Sequence, residues 1–237
     1  MVNILPLMGI HNNFGVPNQV IQKDKKNIKK STNQESIVKD FPWVVDKNIL
    51  MALNELKQVH FNKQDILQLS KMGVCIPFTS GLDAVQFLKN ANVRIVFDKM
   101  DKEIHAQYDY QKNFIKINSI YKNTSNTAEI LAMAEAILHE AGHAKDEDDN
   151  SSLQEEINFL GLNVLAHRYF KRKYPVVFDF SESLIVKDGV SVYEKLFFDE
   201  DINKSALIKR LQNKYGYLPA GDIKHPPTSM AFKVKGL

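Results

Sequence analysis

The chain has 237 residues, one of them cysteine, with 31 Lys and Arg against 28 Asp and Glu. A single cysteine excludes a disulfide framework and any multi-cysteine zinc or iron–sulfur site, and a net charge of +3 is too even to call for a nucleic-acid or membrane-surface partner. No run reaches the roughly 18 apolar residues of a membrane span, and the opening MVNILPLMGIHNNFG lacks the basic and long apolar regions of a secretory signal, so the expectation is a soluble, cytoplasmic protein.

Residues 1–35 are rich in Asn, Gln, Lys and Ser, with too few apolar residues to define a buried face, and read as a flexible leader. Residues 36–237 read as a single domain that begins near Phe41-Pro42-Trp43. Helical spacing of Ile49, Leu50, Leu53 and Leu56 predicts a helix over 46–57, and Ile66, Leu67 and Leu69 predict another over 63–72, stopped by Gly73. Ser80 is a natural cap for a third helix through residue 89. The period then changes: Val93–Phe97 is β-like, and IHAQYDY (104–110) with FIKI (114–117) reads as a hairpin. Ile104–Tyr110 is the expected sheet edge beside a cleft, and Cys75 is expected to be a small buried hydrophobe.

Asn126 opens a long helix, AEILAMAEAILHEAGHA, and Ser151 or Ser152 caps a second, LQEEINFLGLNVLAHRYF. After Pro175, VVFDF reads as a strand, and a last helix over 204–215 ends at Gly216. The fold class is α+β, mostly helical, with a small mixed sheet.

Chemistry concentrates in His139-Glu140-Ala141-Gly142-His143. Residues four apart share a helix face, so both imidazoles can point at one metal ion. Glu140 projects about 100° round the helix from His139, beside the metal rather than on it, where a base for an activated water belongs.

This HExxH helix, lined with the small residues Ala132, Ala134, Ala136, Ala141 and Gly142 and following a hairpin, resembles that of the zincin metallopeptidases over roughly residues 93–170. The resemblance implies a zincin-like domain with a central HExxH helix and one Zn2+ per chain. It implies His139 and His143 as ligands and Glu140 as the group that activates the metal-bound water. A catalytic zinc takes three protein ligands and leaves one position open. In the branch that draws the third from a second helix, it is Glu156 or Glu155; in the branch that draws it six residues past the second His, it is Asp149. The wheel of the second helix puts Gln154, Asn158, Arg168 and Lys171 or Arg172 toward solvent, and Glu156, Leu160, Asn163 and His167 on a sheltered stripe. That ordering favours Glu156, with Glu155 as fallback and Asp149 third. Only 12 residues separate His143 from Glu156, and Leu160 or Phe159 stands where membrane-associated relatives place an acidic residue.

His225-Pro226-Pro227 resembles an element near the C-terminus of some zincins, which implies His225 as a catalytic group that meets the developing oxyanion; Tyr215 and Tyr217 are further hydroxyl candidates. The expected activity is zinc-dependent hydrolysis of peptide bonds in a protein or peptide substrate. The alternative is a zinc-containing binding or regulatory module that uses the same cleft without turnover.

Overall fold

A computed structural model describes residues 44, 46–101, 104–146, 151–180, 190–199 and 204–236. The leader, the domain start at Phe41–Trp43 and Asp149 lie outside the described residues. The elements in chain order are α1 (Lys47–Lys57), α2 (Lys63–Lys71), α3 (Gly81–Asn90), β1 (Arg94–Asp98), β2 (Ala106–Asp109), β3 (Phe114–Asn118), α4 (Thr127–Asp146), α5 (Leu153–Lys173), α6 (Pro175–Phe180), α7 (Val190–Phe198), α8 (Lys204–Tyr215) and α9 (Ser229–Lys235). The architecture is α+β and mostly helical, with one three-stranded mixed sheet. Among the described residues no helix is long and apolar enough to cross a membrane.

Local chemistry starts the helices where the cap residues stand. Asp46, Asn62 and Ser80 each accept a backbone N–H in the first turn of α1, α2 and α3. Asn126 Oδ1 accepts from Ala128 N at 2.9 Å to open α4. Ser152 caps α5 in a full capping box with Glu155: Glu155 N donates to Ser152 Oγ, and Ser152 N donates to Glu155 Oε2. Strand order is β1-β3-β2, with β1 parallel and β2 antiparallel to β3, so β2 is an edge strand.

Two apolar clusters meet on α5. Phe159, Leu162, Ala166 and Phe170 face a core built with α1, α3, the sheet and α4. Leu153, Ile157, Leu160, Val164 and Leu165 face a second core with α7, α8 and α9. Helix α5 is therefore enclosed, and this corrects its expected wheel: Gln154 and Asn158 are 2% and 1% exposed rather than solvent-facing. Gln154 donates to Gly73 O and accepts from Thr228 N and Oγ1. Asn158 Oδ1 accepts from Cys75 N and from Gln154 Nε2. These amides satisfy the backbone of two loops that cross α5. With its backbone N–H spent on Asn158, Cys75 sits in a surface loop and is exposed, against the expectation that it is buried.

Residues 176–180 are also a correction. VVFDF belongs to helix α6, with Pro175 in the first helical position, where its missing N–H costs no bond. Val177 and Phe178 pack on the first core, and that contact overrides β propensity. Helices α7 and α9 lie in segments that the sequence pattern left unassigned.

Helices α4 and α5 also share a buried ion layer away from the HExxH residues. His167 Nδ1 lies 3.1 Å from Glu135 Oε1, His167 Nε2 lies 3.9 Å from Glu194 Oε2, and Arg168 joins Glu194 to Asp65. Burial pushes the His167 imidazole down, but the charge and hydrogen bond of Glu135, with Glu194 behind them, hold it above its ordinary 6.5. Burial also pushes the Glu135 carboxyl up, against the pull of His167. Both groups therefore bind protons more tightly folded than unfolded, and the His167 contribution is complete below pH 6.5 and lost as pH rises through the raised value. Urea unfolding across pH should show stability falling from pH 6.5 upward, with a shallower fall in His167→Gln; equal slopes would contradict this assignment.

Candidate metal centre

The HExxH residues lie in the last two turns of α4, where that helix packs against the first turns of α5. His139 and Glu140 are buried, and Glu156 enters from α5 with a side chain 12% exposed. His139 Nε2 and His143 Nε2 are 3.3 Å apart. Glu156 Oε2 lies 3.5 Å from His139 Nε2, and its Oε1 lies 3.5 Å from His143 Nε2. Among the described residues, these three are the set whose ligand atoms converge within 4.8 Å.

These separations allow a test of fit. Ligand atoms about 2.0–2.1 Å from a tetrahedral zinc stand roughly 3.4 Å from one another. The three measured edges lie close to that value, and two imidazoles with a carboxylate make a donor set suited to zinc. The residues present fit the ion.

The surroundings hold the donors in place. His143 Nδ1 lies 2.6 Å from Glu155 Oε1, which turns Nε2 toward His139 and Glu156. The fallback ligand Glu155 thus sits on the far nitrogen of the ring, and its other oxygen closes the α5 capping box. The Phe159 ring stands edge-on to both His139 and His143. A Cβ on Gly142 would come 2.6 Å from that ring, so glycine permits this close approach of α4 and α5.

Charge is concentrated here. Burial pushes the His143 imidazole down, but its hydrogen bond to Glu155 and the carboxylates of Glu140, Glu156 and Glu155 raise it to about 9. Burial pushes the Glu156 carboxyl up, yet the hydrogen bond and charge of His139, with His143 and Lys214 behind them, hold it at about 2. A metal ion binding here would displace imidazole protons.

Glu140 Oε2 accepts from Tyr108 N at 2.7 Å, so the edge strand β2 borders the cluster and fixes the carboxylate beside it. Helix α8 supplies groups that sequence reasoning placed weakly or missed. Burial pushes the phenol of the buried Tyr215 well up, and the charge of Glu156 adds to the rise. Lys214, exposed, precedes it in sequence, and its charge is one of those that lower the Glu156 carboxyl. Tyr217 is 81% exposed. The His225 ring stands edge-on to that of Phe159. Its Nδ1 lies 3.1 Å from Asn158 Nδ2 and its Nε2 lies 3.1 Å from Asp146 Oδ1. His167, expected on the same sheltered stripe as Glu156, turns instead to Glu135.

Replacing Glu155 with alanine removes the acceptor for His143 Nδ1 and leaves the ligands themselves intact. Zinc affinity, read by competition with a chromophoric chelator, should fall about 10–100-fold while the stoichiometry stays unchanged. Unaltered affinity would remove Glu155 from the centre.

Comparison with protein-family models, with curated proteins and with solved structures finds no match to this chain.

Proposed function

We propose that this chain is a zinc-dependent peptide hydrolase of zincin type, held together by His139, His143 and Glu156 with Glu140 as its base. The observation that carries this reading is the convergence of the two Nε2 atoms and the Glu156 carboxylate at edges of 3.3, 3.5 and 3.5 Å, with Glu140 next in sequence to one ligand. A purely structural site closes all four positions with protein ligands and has no use for such a base.

Zinc held by these residues would supply a Lewis acid that lowers the pKa of a water to near 7 and polarises a carbonyl. The rest is done by the chain. Tyr108 N–H holds one oxygen of Glu140, which leaves the other to take the proton from the attacking water. Glu140 then returns that proton to the leaving amine as the C–N bond breaks. The edge strand β2 offers backbone groups to an extended peptide, which gives grip without demanding a particular sequence. In this reading His225, tied to Asn158 and Asp146, braces the C-terminal segment against α4 and α5.

Glu140→Gln keeps the shape of the side chain and removes the base. Digestion of a peptide library should stop in this variant, while zinc content stays at the wild-type level. Hydrolysis that survives the substitution would overturn the assignment of Glu140. Partner capture that survives alongside a wild type without peptidase activity would favour the non-catalytic binding module.

A further inference from the structure

An α-helix leaves the N–H groups of its N-cap and first three residues without partners inside the helix. In α5 two of them are met by the capping box, Ser152 N on Glu155 Oε2 and Glu155 N on Ser152 Oγ. The other two are met by the C-terminal part of the chain: Leu153 N donates to Pro219 O at 2.8 Å, and Gln154 N donates to Ala220 O at 3.2 Å. Leu153 and Gln154 are buried, so water does not replace these acceptors. The turn that carries Glu155 and Glu156 is thus completed by residues 219–228.

The same segment is fastened to both helices of the metal centre. Gln154 Oε1 accepts from Thr228 N at 3.0 Å and from Thr228 Oγ1 at 2.6 Å. Thr228 stands at the N-cap of α9, yet its hydroxyl does not cap that helix and turns to Gln154 instead. His225 lies between Asn158 of α5 and Asp146 at the end of α4, and Lys224 Nζ donates to Asp146 O. Inside the segment Asp222 N donates to His225 O and His225 N donates to Asp222 Oδ1, which ties it into a closed loop. A Cβ on Gly73 would stand 2.5 Å from Thr228 Cγ2, so the segment also presses on the loop that Gln154 and Asn158 hold.

If this segment lifts away, two buried donors at the start of α5 lose their acceptors at the full cost of their desolvation. The turn that sets Glu156 against both Nε2 atoms then frays. Conversely, an ion held between α4 and α5 fixes that turn and presents the same two N–H groups to Pro219 and Ala220. Two events that favour one arrangement are linked, and the linkage is reciprocal.

We propose that residues 219–228 act as a clasp on the metal centre, so that seating of the clasp and binding of the ion strengthen one another, with Gln154 and Thr228 as positioning residues. This rests on the zinc centre of the reading above and does not depend on turnover.

The test uses the full chain, with zinc affinity read by chelator competition and amide exchange followed by NMR with and without zinc. Zinc should slow exchange of the Leu153 and Gln154 N–H groups about tenfold, and His139→Ala should abolish the slowing. Gln154→Met keeps the length of the side chain, removes its hydrogen bonds and should weaken zinc binding about tenfold. Thr228→Val removes a hydroxyl that caps no helix and should shift affinity in the same direction, whereas Thr228→Ser should keep the wild-type value. Leu88→Ala, in the first core on α3, should lower the urea midpoint and leave zinc affinity unchanged.

Wild-type affinity in both Gln154→Met and Thr228→Val, exchange at 153 and 154 indifferent to zinc, or an equal loss of affinity in Leu88→Ala would overturn the clasp and leave the zinc centre standing. A wild type that binds no zinc would remove the centre and the clasp with it. Coupling of the expected size without peptide hydrolysis would support the clasp and remove only the hydrolase.

Discussion

Everything at the proposed centre depends on how closely α5 lies against α4. Gly142 allows the Phe159 ring to settle where a Cβ would stand 2.6 Å away. That ring in turn carries the edges of His139, His143 and His225. The same approach brings the first turn of α5 beside the last turns of α4, so Glu156 reaches both Nε2 atoms while Glu155 reaches the back of His143. One carboxylate, Glu155, therefore does two tasks. It completes the N-terminal cap of α5 and fixes the His143 ring, which couples helix initiation to the geometry of the cluster.

Burying charge between two helices is costly unless each group is paired. The α4–α5 seam meets this with two ion layers. Nearer the α5 N-terminus, His139 and His143 oppose Glu156 and Glu155. Farther along, Glu135 opposes His167, with Glu194 and Arg168 closing the layer from the side. Glu135, His139 and His143 are spaced by four on α4, so one face of that helix serves both layers. The two differ in what surrounds them. The Glu135 layer is closed by protein partners, whereas the HExxH layer is bordered by the edge strand β2.

What was legible in the sequence is what local chemistry decides. The HExxH helix, a serine cap at 151 or 152, the first three helices and the hairpin follow from apolar period and cap residues over a few positions, and the structure resolves the cap to Ser152. The burial of Gln154 and Asn158 was hidden, because it depends on loops at residues 73–75 and 225–228 that arrive from distant parts of the chain. The helix over VVFDF was hidden for the same reason, since Pro175 and packing of Val177 and Phe178 outweigh a β-like composition. Between Glu155 and Glu156 the wheel could rank but not assign; the distinction lies in which ring nitrogen each carboxylate meets. Lys214 and Tyr215 had no signal beyond residue type, because about 60 residues of chain separate them from Glu156, whose charge each feels.

The most direct test of the account is the metal content of the purified chain by elemental mass spectrometry, wild type against Glu156→Ala and His139→Ala. The proposed zinc centre at His139, His143 and Glu156 predicts one zinc per wild-type chain and its loss in both variants. A wild type that takes up no zinc after reconstitution, or a Glu156→Ala protein that keeps it, would contradict the centre described here.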